Sequence, residues 1–278
     1  ELDVLALLPT GCTNAEIGER LHISTKTASH HVSKVLAKLG GGSRAGGRRR
    51  SRTSRLCADD RSGRRATLVG MSLTTYRIVR EGADRLLFLF HGWSAEQHHL
   101  AAYVPLVDPD ERFTAVCPRG FHDLPDGDGA SWYDRTSEGP VPTSFQAAVD
   151  SLAAFTTAEM DAAGVAPERC VVGGFSQGGF LALSLALRPG APRWGGVWAM
   201  CCALPEVDGF EIELAAGAGT AALIQVGDHD TIIPPERGWA AADALRVAGW
   251  DVTSAGYDMA HSQRIEMLVD AQRWLAAR

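Results

Sequence analysis

Hydrophobic and polar positions follow two different rhythms along this chain. From residue 72 onward, short apolar runs recur, separated by longer amphipathic stretches. The runs predict strands at Thr75–Val79, Leu86–Phe90, Phe113–Cys117, Cys170–Gly173, Gly196–Met200, Ala221–Val226 and Asp251–Tyr257. Some, such as Leu86-Leu87-Phe88-Leu89-Phe90, are apolar at every position, the mark of strands covered on both faces. The stretches between them predict helices at Ser144–Ala163, Gly178–Leu187, Glu236–Ala248 and Gln263–Ala276. This alternation predicts an α/β fold, a doubly wound and mostly parallel sheet. Sites in such folds form at the carboxyl ends of the strands.

The first 40 residues have a purely helical rhythm. Thr13-Asn14-Ala15-Glu16 reads as a capping box that opens a helix with Ile17 and Leu21 inside. Ile23-Ser24-Thr25 reads as a turn, and Thr27–Leu39 as a further helix with Val32, Val35, Leu36 and Leu39 facing inward. Between residues 41 and 70 the pattern disappears into Gly and Arg. Too few apolar groups remain there to offset chain entropy, so the segment reads as a disordered linker. The expected organisation is therefore a small helical module at 1–40, a linker at 41–70 and an α/β domain at 71–278. The abrupt loss of pattern, and a Met71 that opens a coherent domain, also raise the reading that 41–70 is out-of-frame sequence joining two genes.

Composition narrows the function. Hydrophobic residues make up 45% of 278 positions, ordinary for a globular protein with a sizeable core. No run reaches the roughly 18 apolar residues that span a bilayer. Glu1-Leu2-Asp3 carries no leader pattern, so a cytoplasmic location is expected. Six cysteines without a C-x-x-C pair argue against a disulfide scaffold and against a metal site; adjacent Cys201 and Cys202 read as core residues. Residues 41–70 hold nine arginines against Asp59 and Asp60. With the chain at −6 and residues 1–40 neutral, the α/β domain is strongly acidic and a poor partner for nucleic acid or an anionic membrane.

The densest chemistry lies at Cys170-Val171-Val172-Gly173-Gly174-Phe175-Ser176-Gln177-Gly178-Gly179, which sets Gly-x-Ser-x-Gly between a strand and a helix. A sharp turn there holds a serine in a strained conformation, with Gly174 and Gly178 where side chains would collide with backbone. A nucleophilic serine needs a base, and the base an orienting carboxylate, in the order Ser, Asp, His along such chains. Asp228 and Asp230 both follow the predicted strand 221–226, and His261 follows the last predicted strand. The oxyanion donors expected are the amides of Gln177 and of Trp93, the latter in His91-Gly92-Trp93-Ser94 after strand 86–90. His91 and Gly92 are expected at the substrate. Trp132 reads either as a lining of the acyl pocket or as an ordinary packing aromatic. His98, His99 and His122 read as loop or rim residues.

Residues 72–278 resemble the phospholipase/carboxylesterase family, which includes bacterial carboxylesterases and acyl-protein thioesterases. The resemblance is carried by Phe90-His91-Gly92, Cys117-Pro118-Arg119, Ser131-Trp132-Tyr133-Asp134, Gly174-Phe175-Ser176-Gln177-Gly178-Gly179, Gly227-Asp228-His229-Asp230 and Ala260-His261-Ser262. It implies an α/β-hydrolase fold and cleavage of carboxylic esters or thioesters through an acyl-serine, with no metal or organic cofactor. It also implies Asp230 rather than Asp228 as the acid. Ser94 stands where family members usually carry Gly.

Residues 1–40 resemble a truncated LuxR-type helix-turn-helix, on Thr13-Asn14-Ala15-Glu16-Ile17, Ser24-Thr25-Lys26-Thr27 and His31-Val32-Ser33-Lys34. That resemblance implies Lys26, Thr27, Ser29, His30, Ser33 and Lys34 as the DNA-facing positions. It stops at Gly40, before a fourth helix. The competing reading of the whole chain is a DNA-binding regulator whose hydrolase-like domain senses a small ligand. Lipase action at a membrane is weaker still, because the acidic domain lacks a basic amphipathic helix.

Overall fold

The computed structural model describes residues 73–125 and 129–278, together with residues 19, 21–24, 26–27 and 31. Its centre is a seven-stranded sheet of β1 (Thr75–Ile78), β2 (Arg85–Phe90), β3 (Phe113–Pro118), β8 (Cys170–Phe175), β9 (Gly196–Met200), β10 (Ala221–Gly227) and β11 (Asp251–Tyr257). The order is β1-β3-β2-β8-β9-β10-β11, and only β1 runs antiparallel to its neighbour. Two small hairpins, β4 (His122–Asp123) with β5 (Ala130–Ser131) and β6 (Arg135–Thr136) with β7 (Gly139–Pro140), lie between β3 and β8 in sequence.

Among the described residues, six α-helices accompany the sheet: α1 (His98–Ala101), α2 (Val104–Val107), α3 (Pro142–Ala163), α4 (Gln177–Leu187), α5 (Pro235–Val247) and α6 (Ile265–Ala276). They divide between the two faces of the sheet. Leu86, Phe88 and Phe90 point into a core shared with α3, α4 and α5. Leu87 and Leu89 point into a second core with α1, α2 and α6. This period-two division of a wholly apolar strand is why its sequence shows no alternation.

The predicted strands and long helices are all present, with small differences at their ends. β8 continues through Gly173, Gly174 and Phe175, because Gly174 still pairs with Phe90 on one side and Ala199 on the other. α6 starts at Ile265 rather than Gln263, with Arg264 in extended backbone at its cap. The one-turn helices α1 and α2 and the two hairpins are too short to leave a periodic signal. Chain direction across the sheet reverses at β2, which has β3 on one side and β8 on the other. A crevice outside the carboxyl ends of β2 and β8 is therefore the expected place for a ligand.

In the amino-terminal region, Lys26 and Thr27 are helical and exposed, and the Thr27 amide donates to Ser24 Oγ at 3.0 Å, an N-terminal cap. Ser29, His30, Ser33 and Lys34, and the linker at 41–70, lie outside the described residues. No helix among the described residues is long and apolar enough to cross a membrane.

Candidate active site

Ser176 sits between the end of β8 and the first turn of α4, with φ 52° and ψ −118°. Few non-glycine residues occupy that region, and those that do are held there by their surroundings. Here the constraint is close packing. A Cβ on Gly174 would lie 2.3 Å from the Gly178 carbonyl carbon, and one on Gly178 would lie 1.9 Å from the Phe90 oxygen. Only glycine lets β8, the start of α4 and the end of β2 approach this closely. The Ser176 amide donates to Met200 O at 2.9 Å, and its own carbonyl accepts the Phe180 amide at 3.0 Å.

Loops from two other strand ends converge on the serine. His261, after β11, places Nε2 at 2.8 Å from Ser176 Oγ and Nδ1 at 2.7 Å from Asp230 Oδ2. Asp230, after β10, is buried, and its Oδ1 accepts the amides of Ile232 at 2.9 Å and Ile233 at 2.8 Å. One carboxylate oxygen is thus given to the imidazole and the other to the loop. This pairing favours the tautomer with its proton on Nδ1, which leaves Nε2 free to accept from the serine hydroxyl. Asp228 is exposed and its carboxylate lies beside Gly256. His229 pairs at 2.9 Å with Asp258 on the surface.

Cys201 lies behind the acid, in the group it forms with Asp230 and His261. Its thiol is pushed up to about 12 by burial first and by the Asp230 charge second. The Asp230 and His261 donors are already engaged, with each other and, through Nε2, with Ser176.

The amides of Trp93 and Gln177 donate to no acceptor among the described residues. Trp93 stands on the loop after β2 and Gln177 at the first position of α4, after β8, the two strands at the chain reversal. The Trp93 ring is exposed, as is Ile232 on the acid loop. A separate groove of about 550 Å3, lined in part by Met160, Asp161, Val165 and Arg188, contains none of these residues.

His91 and Gly92, expected at the substrate, are covered, as is Trp132, for which packing was one of the two readings. Trp132 is 0% exposed and His91 is 1% exposed. Gly92 is also buried, packed against Phe175. The His91 ring is spent on backbone: Nδ1–H donates to Gly92 O at 2.8 Å, and Nε2 accepts the Gly120 amide at 2.9 Å. Its pKa falls from 6.5 to about 4, chiefly through burial, with Gly92 O opposing and His99 and Arg119 assisting. The Trp132 indole N–H donates to His91 O at 2.8 Å. A hydrophobic pocket wall would leave that N–H unpaired, whereas this site satisfies it. His98 and His99 are engaged with Tyr76 and Tyr103, and His122 is exposed in β4. Sequence reasoning gave no role to Gly129 and Ala130, yet Ala130 pairs with the loop after β2. No local pattern marks that contact.

Comparisons with known proteins agree with the fold. Residues 1–46 match the bacterial regulatory proteins of the luxR family. Over 39 residues the chain is 49% identical to the transcriptional regulatory protein LiaR of Bacillus subtilis, covering 14% of this chain and 18% of that one. Over 116 residues it is 35% identical to acyl-protein thioesterase 1 of Gibberella zeae, covering 40% of this chain and 49% of the relative. The chain thus matches about half the length of that thioesterase. The structure of the Bacillus cereus carboxylesterase superposes with a TM-score of 0.66 at 19% identity, covering 75% of this chain and 95% of that one. Residues 78–278 match the phospholipase/carboxylesterase family, and the chain belongs to that family.

Proposed function

We propose that the domain at 71–278 hydrolyses carboxylic esters or thioesters through an acyl intermediate on Ser176. The observation that carries this reading is the line of two short hydrogen bonds from Ser176 Oγ through His261 to Asp230. The Ser176 hydroxyl passes its proton to His261 Nε2 as Oγ attacks the substrate carbonyl. The negative charge that develops on the carbonyl oxygen is met by the unengaged amides of Gln177 and Trp93. His261 returns the proton to the departing alkoxide or thiolate, and the acyl group stays on Ser176. Water, activated by the same imidazole, then releases the acid. Asp230 holds the ring and stabilises its cation throughout. Every proton is accounted for by these residues, so no step calls for a metal or organic cofactor. Exposed Trp93 and Ile232, on two loops of the site, favour an acyl group with apolar character.

Hydrolysis of a short p-nitrophenyl ester tests the assignment. Ser176→Ala is expected to lower kcat by about 10^6-fold, as when such a triad loses its nucleophile. Substantial turnover by pure Ser176→Ala protein would sink it. Free, buried thiols at Cys117, Cys170, Cys201 and Cys202 suit a reducing compartment, and we place the protein in the cytoplasm.

The luxR-family match over residues 1–46 favours a second role, DNA contact through the amino-terminal module. Lys26, Thr27, Ser29, His30, Ser33 and Lys34 would face the duplex. Retardation of duplex DNA by the full chain at physiological salt tests it, and an unretarded duplex would remove it.

A further inference from the structure

The two amides assigned to the oxyanion come from different segments, the loop after β2 and the start of α4, so something must fix the distance between them. Residues 129–133 touch both. Toward the loop after β2, the Ser94 amide donates to Ala130 O at 3.1 Å and the Ala130 amide to Ala95 O at 2.9 Å. The Trp132 indole N–H donates to His91 O at 2.8 Å. Toward the turn after β8, the Trp132 amide donates to Gln177 Oε1 at 3.1 Å, and Gln177 Nε2 donates to Tyr133 O at 3.2 Å. Trp132 is the residue bonded to both walls.

We propose that Trp132, bridging His91 O and the Gln177 side chain, is a positioning residue that sets the spacing of the two oxyanion amides. The proposal rests on the hydrolase reading above. The indole N–H pins the peptide that leads through Gly92 to the Trp93 amide. The Trp132 amide pins the side chain whose own backbone N–H is the other donor. The ring is locked between Phe90, His91 and Phe121, at centroid distances of 5.6, 4.8 and 5.8 Å, so the bridge cannot swing. All groups along it are buried, and a buried donor or acceptor without its partner is costly enough to keep the bridge closed.

Removing one oxyanion donor outright costs about 10^2- to 10^3-fold in kcat. A donor displaced rather than removed should cost less, about 10-fold or more. Trp132→Phe keeps an aromatic ring in place and deletes the indole N–H. It should lower kcat about 10-fold or more, leave KM within about twofold, and weaken a trifluoromethyl ketone, which forms an oxyanion on Ser176, in parallel with kcat. The pH profile should keep its shape, because His261 and Asp230 are untouched. Gln177→Met cuts the bridge from the other side and keeps the backbone amide. The double variant should be no worse than the more impaired single one, since both break the same bridge. Wild-type kcat in folded Trp132→Phe, or independent multiplying losses in the double variant, would overturn the proposal. Should Trp132→Phe fail to fold, Gln177→Met decides alone: wild-type kcat and inhibitor affinity overturn the bridge, and their joint fall supports it. Failure of the hydrolase reading would look different, as wild-type turnover that survives Ser176→Ala.

Discussion

The turn at Ser176 and the loop at 91–95 face each other across the carboxyl ends of β8 and β2, yet they are held by different means. The serine turn is shaped largely by its own glycines, packed on each other and on the end of β2. Gly174 and Gly178 flank the nucleophile by two residues on either side, and each is glycine because backbone occupies the space a Cβ would need. The opposite loop is shaped from outside. Its partners are Gly120, Gly129, Ala130 and Trp132, all later in the chain. Gly129 uses the same device as Gly178, since a Cβ there would lie 2.1 Å from Ser94 O. In one case the close contact serves a turn its own sequence defines. In the other it joins segments that only the folded chain brings together.

The largest expected effect is on the locally encoded side. Gly178→Ala puts a methyl group into the Phe90 carbonyl, which belongs to a central strand and cannot yield without disturbing two ladders. We expect a loss above about 3 kcal/mol, beyond ordinary overpacking, together with loss of ester hydrolysis. Denaturant melts of the pure variant measure it. Near-normal stability would break the comparison, because the turn would then be held by something other than its glycines.

The same contrast explains what the sequence made legible. Ser176 lies in a motif that ten consecutive residues spell out, although part of its reason, the close approach of Phe90 O to Gly178, comes from β2. His261 is reachable because chain order and strand-end position are themselves sequence properties; these leave Asp228 and Asp230 both open, and only the family resemblance favours Asp230. The sheet was legible for a similar reason, its strands being continuous apolar runs. Sequence reasoning expects His91 at the substrate and leaves Trp132 open between pocket lining and ordinary packing. What removes them from the substrate is non-local. The His91 ring is consumed by Gly92 O and the Gly120 amide, and Trp132 by His91 O. No periodicity carries that information. The one clue was chemical, that a buried indole must find an acceptor.

A smaller effect tests the loop after β2 through its histidine. His91 is kept neutral in the folded protein, with its pKa lowered from 6.5 to about 4 mainly by burial. The unfolded chain therefore takes up a proton first as pH falls. Stability from this group is complete above about pH 6.5 and is lost progressively down to about pH 4, by roughly 3 kcal/mol at most for a shift of that size. His91→Gln, which cannot charge, should be less stable than the wild type at pH 7 and should close the gap as pH approaches 4.5. Urea melts across that range read the difference. A gap that stays constant with pH would mean that His91 does not hold this loop in its neutral form.

The smallest expected effect separates strain that serves a site from strain that does not. Ser176 and Ser94 both have positive φ, 52° and 64°. At Ser176 the conformation presents the nucleophile and is enforced by its neighbours. At Ser94 the backbone does the work, donating to Ala130 O and packing its carbonyl on Gly129, and the hydroxyl has no part in either contact. The φ of Ser94 gives a physical reason to prefer glycine here: the left-handed region costs a non-glycine residue of order 1 kcal/mol. Glycine recovers that energy but gives part of it back through the greater freedom of the unfolded chain. Ser94→Gly should therefore raise stability by between zero and about 1 kcal/mol, and Ser94→Val, β-branched and less tolerant of this region, should lower it by more than that. Paired thermal melts of the two variants read the sign. If Ser94→Gly destabilised the protein, the serine side chain would be holding the loop, and the contrast between a turn shaped largely by its own glycines and a loop shaped from outside would fail where it is easiest to measure.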